Sequence, residues 1–201
     1  MSYDDRFFQH RDRPLVGIDV DGVINALGPV EEESYVEQIV LGYRLHIHRD
    51  LPRILQPLLD ADEAGRCDLF WASMWEAAAG GALSPTIGGI GADWPFLMFT
   101  RPTESSSLEE RREFQERMHQ FASEGVYFKS PYIGDLAAAS GRAIVWMDDE
   151  CGPSDERYFA ARDDIVAPVR CVTTDDARGI SSKDVTATLD LLQQIGGGSP
   201  G

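Results

Sequence analysis

The chain is short of cysteine, of long apolar runs and of positive charge, and each shortage removes a class of protein. Three cysteines, Cys67, Cys151 and Cys171, are spread over 201 residues. An odd, widely spaced set makes neither a disulfide framework nor a zinc pattern. A reducing cytoplasm is therefore expected, with each thiol a small buried apolar group. No apolar run nears the roughly 18 residues that a membrane-spanning helix needs. Met1 to Arg13 is polar and lacks the apolar core of an export signal. Only 18 basic residues face 34 acidic ones, for a net charge of -16. Nonspecific nucleic-acid binding relies on many Lys and Arg contacts, and the aromatics show no interleaving with them. An extended nucleic-acid footprint is not expected.

What the chain does have is apolar content of 43%, enough for one domain. The expected layout is a flexible leader over 1–13, a single domain over 14–195 and a flexible tail over 196–201. Pro14 to Val20 is a nearly continuous apolar run, as a strand covered on both faces should be. Tyr35 to Leu41 and Tyr43 to His48 predict a β-hairpin about Gly42, within a small flap spanning about 26–50. Asp50 is placed to cap a helix with Pro52 in its first turn, ended by Gly65. Further strands are expected at Asp68 to Ser73, Trp94 to Thr100, Ala143 to Met147 and Val166 to Val172, with a short helix from Trp75 to Leu83. Ser107-Leu-Glu-Glu110 has capping-box spacing and opens a helix to about Glu124, in an insertion of about 104–125. Leu108, Phe114, Met118 and Phe121 suggest its inner face. Helices are also expected over Tyr132 to Ser140 and from Ser181 or Ser182 to about Ile195. Alternating strands and helices imply a three-layer α/β/α sandwich on a mostly parallel, five-stranded sheet.

The most informative stretch is Val16-Gly17-Ile18-Asp19-Val20-Asp21-Gly22-Val23-Ile24-Asn25. Residues i and i+2 of a strand point to one side, so Asp19 and Asp21 can face one ligand. Paired carboxylates repel unless a cation or a shared proton relieves them. A calcium loop is excluded, because Val23, Asn25, Leu27 and Val30 fall where that loop needs further ligands. Ser73, Lys129 and the pair Asp148/Asp149 also fall at strand ends or just before a helix. In open α/β sheets that edge binds ligands. His46 and His48 share a strand face, but a two-histidine edge does not make a zinc site. Trp71 and Trp75 read best as core packing.

These segments resemble the four motifs of the haloacid dehalogenase (HAD) superfamily of phosphohydrolases, over roughly residues 14–192. More narrowly, Asp19-Val-Asp-Gly-Val-Ile-Asn25, Trp71-Ala-Ser-Met-Trp-Glu76 and Trp146-Met-Asp-Asp-Glu150 are similar to the HAD domain grouped with Swiss Army Knife RNA-repair proteins. The resemblance implies a Rossmannoid fold without a large cap and a Mg2+-dependent phosphatase. Asp19 would be the nucleophile, forming an aspartyl-phosphate, and Asp21 the general acid and base. Lys129 would neutralise charge on the phosphoryl group. Ser73 would hydrogen-bond the phosphoryl oxygens, with Met74 and Gly22 lining the same substrate pocket. Mg2+ would bind the side chains of Asp19 and Asp148 and the main-chain carbonyl of Asp21, with Asp149 steadying Lys129 or a metal-bound water. The substrate would be a small phosphorylated molecule or a phosphorylated nucleic-acid end. A phosphate-binding regulatory module without turnover is the non-enzymatic alternative. The chain departs from the pattern at Ala72-Ser73, where Ala-Thr is usual, and at Ala77-Ala78-Ala79, where many relatives carry an Asn.

Overall fold

The computed structural model describes residues 3–103 and 105–197. In chain order its elements are β1 (Leu15–Ile18), β2 (Tyr35–Val40), β3 (Tyr43–His48), α1 (Leu51–Glu63), β4 (Asp68–Trp71), α2 (Leu108–Ser123), α3 (Ser130–Ser140), β5 (Ile144–Asp148), α4 (Pro153–Ala160), β6 (Val169–Thr173) and α5 (Ser182–Gly197). The central sheet is parallel throughout, in the order β4-β1-β5-β6. β1 and β5 are buried at every position, which explains why they read as unbroken apolar runs.

Alternation along the strands divides the interior into two cores. Val16, Ile18, Leu69, Val145 and Met147 pack with α1, α5 and the hairpin. Leu15, Phe70, Ile144 and Trp146 pack on the other side with Ile133 and Leu136 of α3 and Phe159 of α4. Helices therefore cover both faces, as expected.

One of the five expected strands, the third in chain order, does not form. Trp94 to Thr100 meets the sheet at one parallel bridge, where Trp71 N donates to Pro95 O at 2.9 Å and Leu97 N donates to Trp71 O at 2.9 Å. Pro95 has no N–H to extend a ladder, and the segment turns away as irregular chain. The last strand starts later than expected, leaving Val166 80% exposed. The helix expected from Trp75 to Leu83 is a π-helical turn, Ala79–Leu83, followed by a 3-10 turn, Ser84–Ile87. Asp50 precedes α1 without capping it; its carboxylate accepts instead from Arg53 at 2.9 Å.

The predicted hairpin is present. Leu41 and Gly42 carry positive φ angles of 52° and 86°, the turn that matches the twist of two short antiparallel strands. The segment expected as a loose leader packs onto the body. Phe7 is fully buried and sets its ring edge-on to Phe70, 5.3 Å away. Residues 1, 2 and 104 and the tail positions 198–201 lie outside the described residues, while Gly196 and Gly197 close α5. Among the described residues, no helix is long and apolar enough to cross a membrane.

Candidate active site

β1 and β5 are neighbours, with Ile18 opposite Met147, so both deliver acids to the same edge of the sheet. Asp19 leaves β1 still bound to β5 through its N–H, which donates to Met147 O at 3.1 Å. The chain then turns sharply. Ile24 N and Asn25 N both donate to Val20 O at 2.8 Å, and Gly22 takes a φ of 75°. Gly22 is required twice over: by its backbone conformation, and because a Cβ there would run into the Asp149 carboxyl group. Thr174, just past β6, clamps the turn by donating its Oγ1 to Gly22 O at 2.8 Å.

Lys129 enters from the residue before α3, where Pro131 sits in the first turn. Its stem is buried and its Nζ donates to Asp19 Oδ2 at 2.5 Å and to Asp148 Oδ2 at 2.8 Å. All three side chains are at most 5% exposed. The other Asp19 oxygen accepts from Val20 N at 2.7 Å, and the other Asp148 oxygen from Glu150 N at 3.0 Å. The nucleophile expected from the sequence is thus fixed in orientation.

Charge balance decides what this cluster suits. Burial works against the charge on Lys129, but Asp19 and Asp148 outweigh it and hold the amine above the ordinary lysine range. Burial, reinforced by Asp19 and opposed by Lys129, pushes Asp148 well above the usual carboxylate range. Asp149 is raised to about 6, chiefly by burial, with Asp19 adding to the rise. Carboxylate oxygens of Asp19, Asp148 and Asp149 all lie within 4.8 Å of one another. One ammonium cannot neutralise three carboxylates, and the raised acids mark a site that resists its full negative charge. A hard divalent cation with oxygen ligands fits this donor set. Asp149, assigned from sequence to a supporting place beside the metal, stands in the cluster itself. This is the one cluster of three or more potential metal ligands found among the described residues. His46 and His48 are not part of it; His48 Nδ1 accepts from Asp50 N at 3.0 Å.

The Asp21 carboxylate is not in this cluster, so strand alternation does not bring it and Asp19 onto one metal; it lines the groove next to Met74 and Trp75 instead. Its Oδ1 accepts from Asn25 Nδ2 at 2.8 Å and its Oδ2 from Trp75 Nε1 at 2.9 Å. Asn25 in turn accepts the main-chain N–H of His46 at 2.8 Å, which ties Asp21 to the hairpin. Trp75 is therefore not simply core packing, whereas Trp71 is: it is fully buried with its Nε1 donating to Gly91 O. Neither Asn25 nor Trp75 stood out in sequence as a partner of Asp21. The Asp21-to-Asn25 spacing around a glycine turn was the available signal.

Ser73 and Met74 follow β4 at the same sheet edge. Ser73 is buried, and its Oγ accepts from Trp75 N at 3.4 Å, a long bond that leaves hydroxyl capacity for another partner. Met74 is half-buried beside Trp75. Glu76 holds a left-handed φ of 47°, fixed by its Oε1 accepting from Phe99 N at 2.9 Å. That strained turn aims Trp75 back at Asp21. Comparison with protein-family models, curated proteins and solved structures finds no match. The arrangement offers a pinned carboxylate, a buried cation, a metal-ready acid cluster and a second carboxylate facing an open groove.

Proposed function

We propose that the protein is a Mg2+-dependent phosphatase of HAD type that hydrolyses a phosphomonoester through an aspartyl-phosphate on Asp19. What carries this is the convergence of Asp19, Lys129, Asp148 and Asp149, from three separate stretches of chain, at the carboxyl edge of one parallel sheet. Asp19 and Asp148, with Asp149 and the Asp21 main-chain carbonyl, would hold Mg2+. The ion would draw negative charge off the phosphoryl oxygens and ease the approach of one anion to another.

The residues themselves divide the work. An oxygen of Asp19 bonds to phosphorus as the ester P–O bond breaks, and Asp21 gives its proton to the departing oxygen. Water then attacks phosphorus, Asp21 takes its proton, and the bond to Asp19 breaks to release inorganic phosphate. Lys129 steers the Asp19 carboxylate and offsets the charge that builds on the transferring group. Ser73 supplies a hydroxyl at the same edge. Asn25 and Trp75 keep the Asp21 carboxyl turned toward the groove.

The test is hydrolysis of p-nitrophenyl phosphate and a panel of phosphomonoesters, including end-phosphorylated oligonucleotides, with Mg2+ present and then chelated. Wild type should turn over only with the metal, and Asp19→Asn should lose at least about a thousand-fold. Equal turnover by the two proteins would remove the proposal, and so would activity indifferent to chelation.

A further inference from the structure

A general acid stands where the leaving group departs, so the surface beside Asp21 is the surface the leaving group meets. Here it is a groove of about 450 Å3 floored by Met74 and Trp75 and walled by Leu41, Tyr43 and Arg44 of the hairpin. Two of its apolar members stand open to solvent: Leu41 and Tyr43 are each 66% exposed, while Leu45 beneath them is buried. The hairpin could have ended in polar residues, as solvent-facing turns usually do.

The rings are also arranged rather than scattered. Tyr43 lies 5.6 Å from Trp75, centroid to centroid, at an interplanar angle of 60°. Trp75 cannot drift, because its indole N–H is held by Asp21 at 2.9 Å. Tyr43 stands at the hairpin's turn, beside the positive-φ pair Leu41 and Gly42, so its placement is set by that turn. A small aliphatic leaving group would touch Asp21 and leave these rings in water. A planar ring would cover Tyr43 and reach Trp75 at once.

We infer that the Trp75–Tyr43 groove selects phosphomonoesters whose leaving alcohol carries a planar aromatic ring, with Tyr43 the specificity-determining side chain. This rests on the phosphatase proposal for its chemistry but not for its binding. Ring-on-ring stacking discriminates by roughly ten-fold or more in protein sites that bind bases. The ring can be attached one carbon from the ester oxygen, as in a benzyl phosphate, or one sugar away, as in a nucleoside monophosphate.

The experiment compares kcat/KM for benzyl phosphate, adenosine 5′-monophosphate and ribose 5-phosphate, whose leaving alcohols are of similar acidity, in wild type, Tyr43→Ala and Tyr43→Phe. Wild type should favour at least one ring-bearing substrate over ribose 5-phosphate by ten-fold or more, and the favoured one identifies where the ring attaches. Tyr43→Ala should collapse that ratio and Tyr43→Phe should keep it. A wild type without preference, or a Tyr43→Ala enzyme that retains it, overturns the inference. Tyr43 is largely exposed, and circular dichroism checks that its variants fold. A second arm is independent of turnover: tryptophan fluorescence titrated with adenosine 5′-monophosphate, benzyl phosphate and ribose 5-phosphate. Tighter binding of a ring-bearing ligand, lost in Tyr43→Ala, sustains the inference even if no substrate is hydrolysed and the phosphatase proposal fails. Equal binding of all three ligands overturns it while leaving that proposal standing.

Discussion

At the scale of single residues, Gly22 shows how narrowly the site is built. Its φ of 75° is one that alanine adopts only at a cost of roughly 1–2 kcal/mol. A Cβ would also strike the Asp149 carboxyl, which must then swing away from Asp19 and Asp148. Gly22→Ala should therefore fold, lose about 2 kcal/mol, and weaken the proposed Mg2+ site at least ten-fold, read as a smaller Mg2+-induced rise in Tm. The metal defect should disappear in an Asp149→Gly background, which removes both the carboxyl and the Cβ that a side chain at position 22 would strike. Additive losses in that cycle would mean that Gly22 acts on the turn rather than on Asp149. The expected pairing of Asp19 with Asp21 on one ligand gives way to Asp19 with Asp148 and Asp149. The strand-end acids Asp19, Asp148 and Asp149 were legible in the sequence because each follows an unbroken apolar run. Asn25 and Trp75 were not, since they find Asp21 only once the hairpin and the Ser73–Glu76 turn have folded over it.

Among the elements, α2 is the one whose local grammar was clear and whose place was not. Ser107 and Glu110 form both bonds of the capping box, at 3.1 Å and 2.7 Å, as the spacing predicted. Yet Leu108, expected on the inner face, is 85% exposed, and no residue of α2 is buried. Phe114, Met118 and Phe121 do face inward, but onto an open cleft of about 520 Å3 shared with Tyr132. Capping depends on neighbours in sequence, whereas burial depends on what the helix lands against, and only the first can be read locally. Ser107→Ala should accordingly cost α2 about 1 kcal/mol while leaving global stability almost unchanged. Amide exchange at the start of α2 should quicken several-fold with Tm unmoved. A Tm drop of several degrees would place α2 inside the cooperative unit. The missing third strand follows the same logic: Trp94 to Thr100 has strand-like apolar content, but Pro95 denies it the ladder that content suggests.

The whole molecule separates its two kinds of buried charge by end of the sheet. Asp19, Lys129 and Asp148 sit at the carboxyl edge, where an ion can share their charge. At the other edge Arg142, fully buried, is wholly structural. Its guanidinium pairs with Asp68 of β4 and donates to Arg13 O at 2.6 Å and Phe7 O at 3.1 Å. One side chain thus ties the amino-terminal segment, β4 and the start of β5 together, and holds Phe7 against Phe70. Five donors in a fixed fork suit that task, and a single ammonium does not. Sequence reading could not find this clamp, because its partners include two main-chain carbonyls in a stretch whose polarity suggested a loose leader. Arg142→Met keeps the apolar bulk but strands both carbonyls and leaves Asp68 to Arg13, at 3.5 Å, and His10, at 3.4 Å. The expected loss is about 3 kcal/mol, or roughly 10 °C in Tm, with residues 3–13 becoming protease-sensitive before the rest of the domain unfolds. The proposed Mg2+ site lies at the opposite edge, so the variant should match wild type in any Mg2+-induced rise in Tm. A fall in metal affinity alongside stability would mean that the two edges are coupled through β1 and β5 rather than independent.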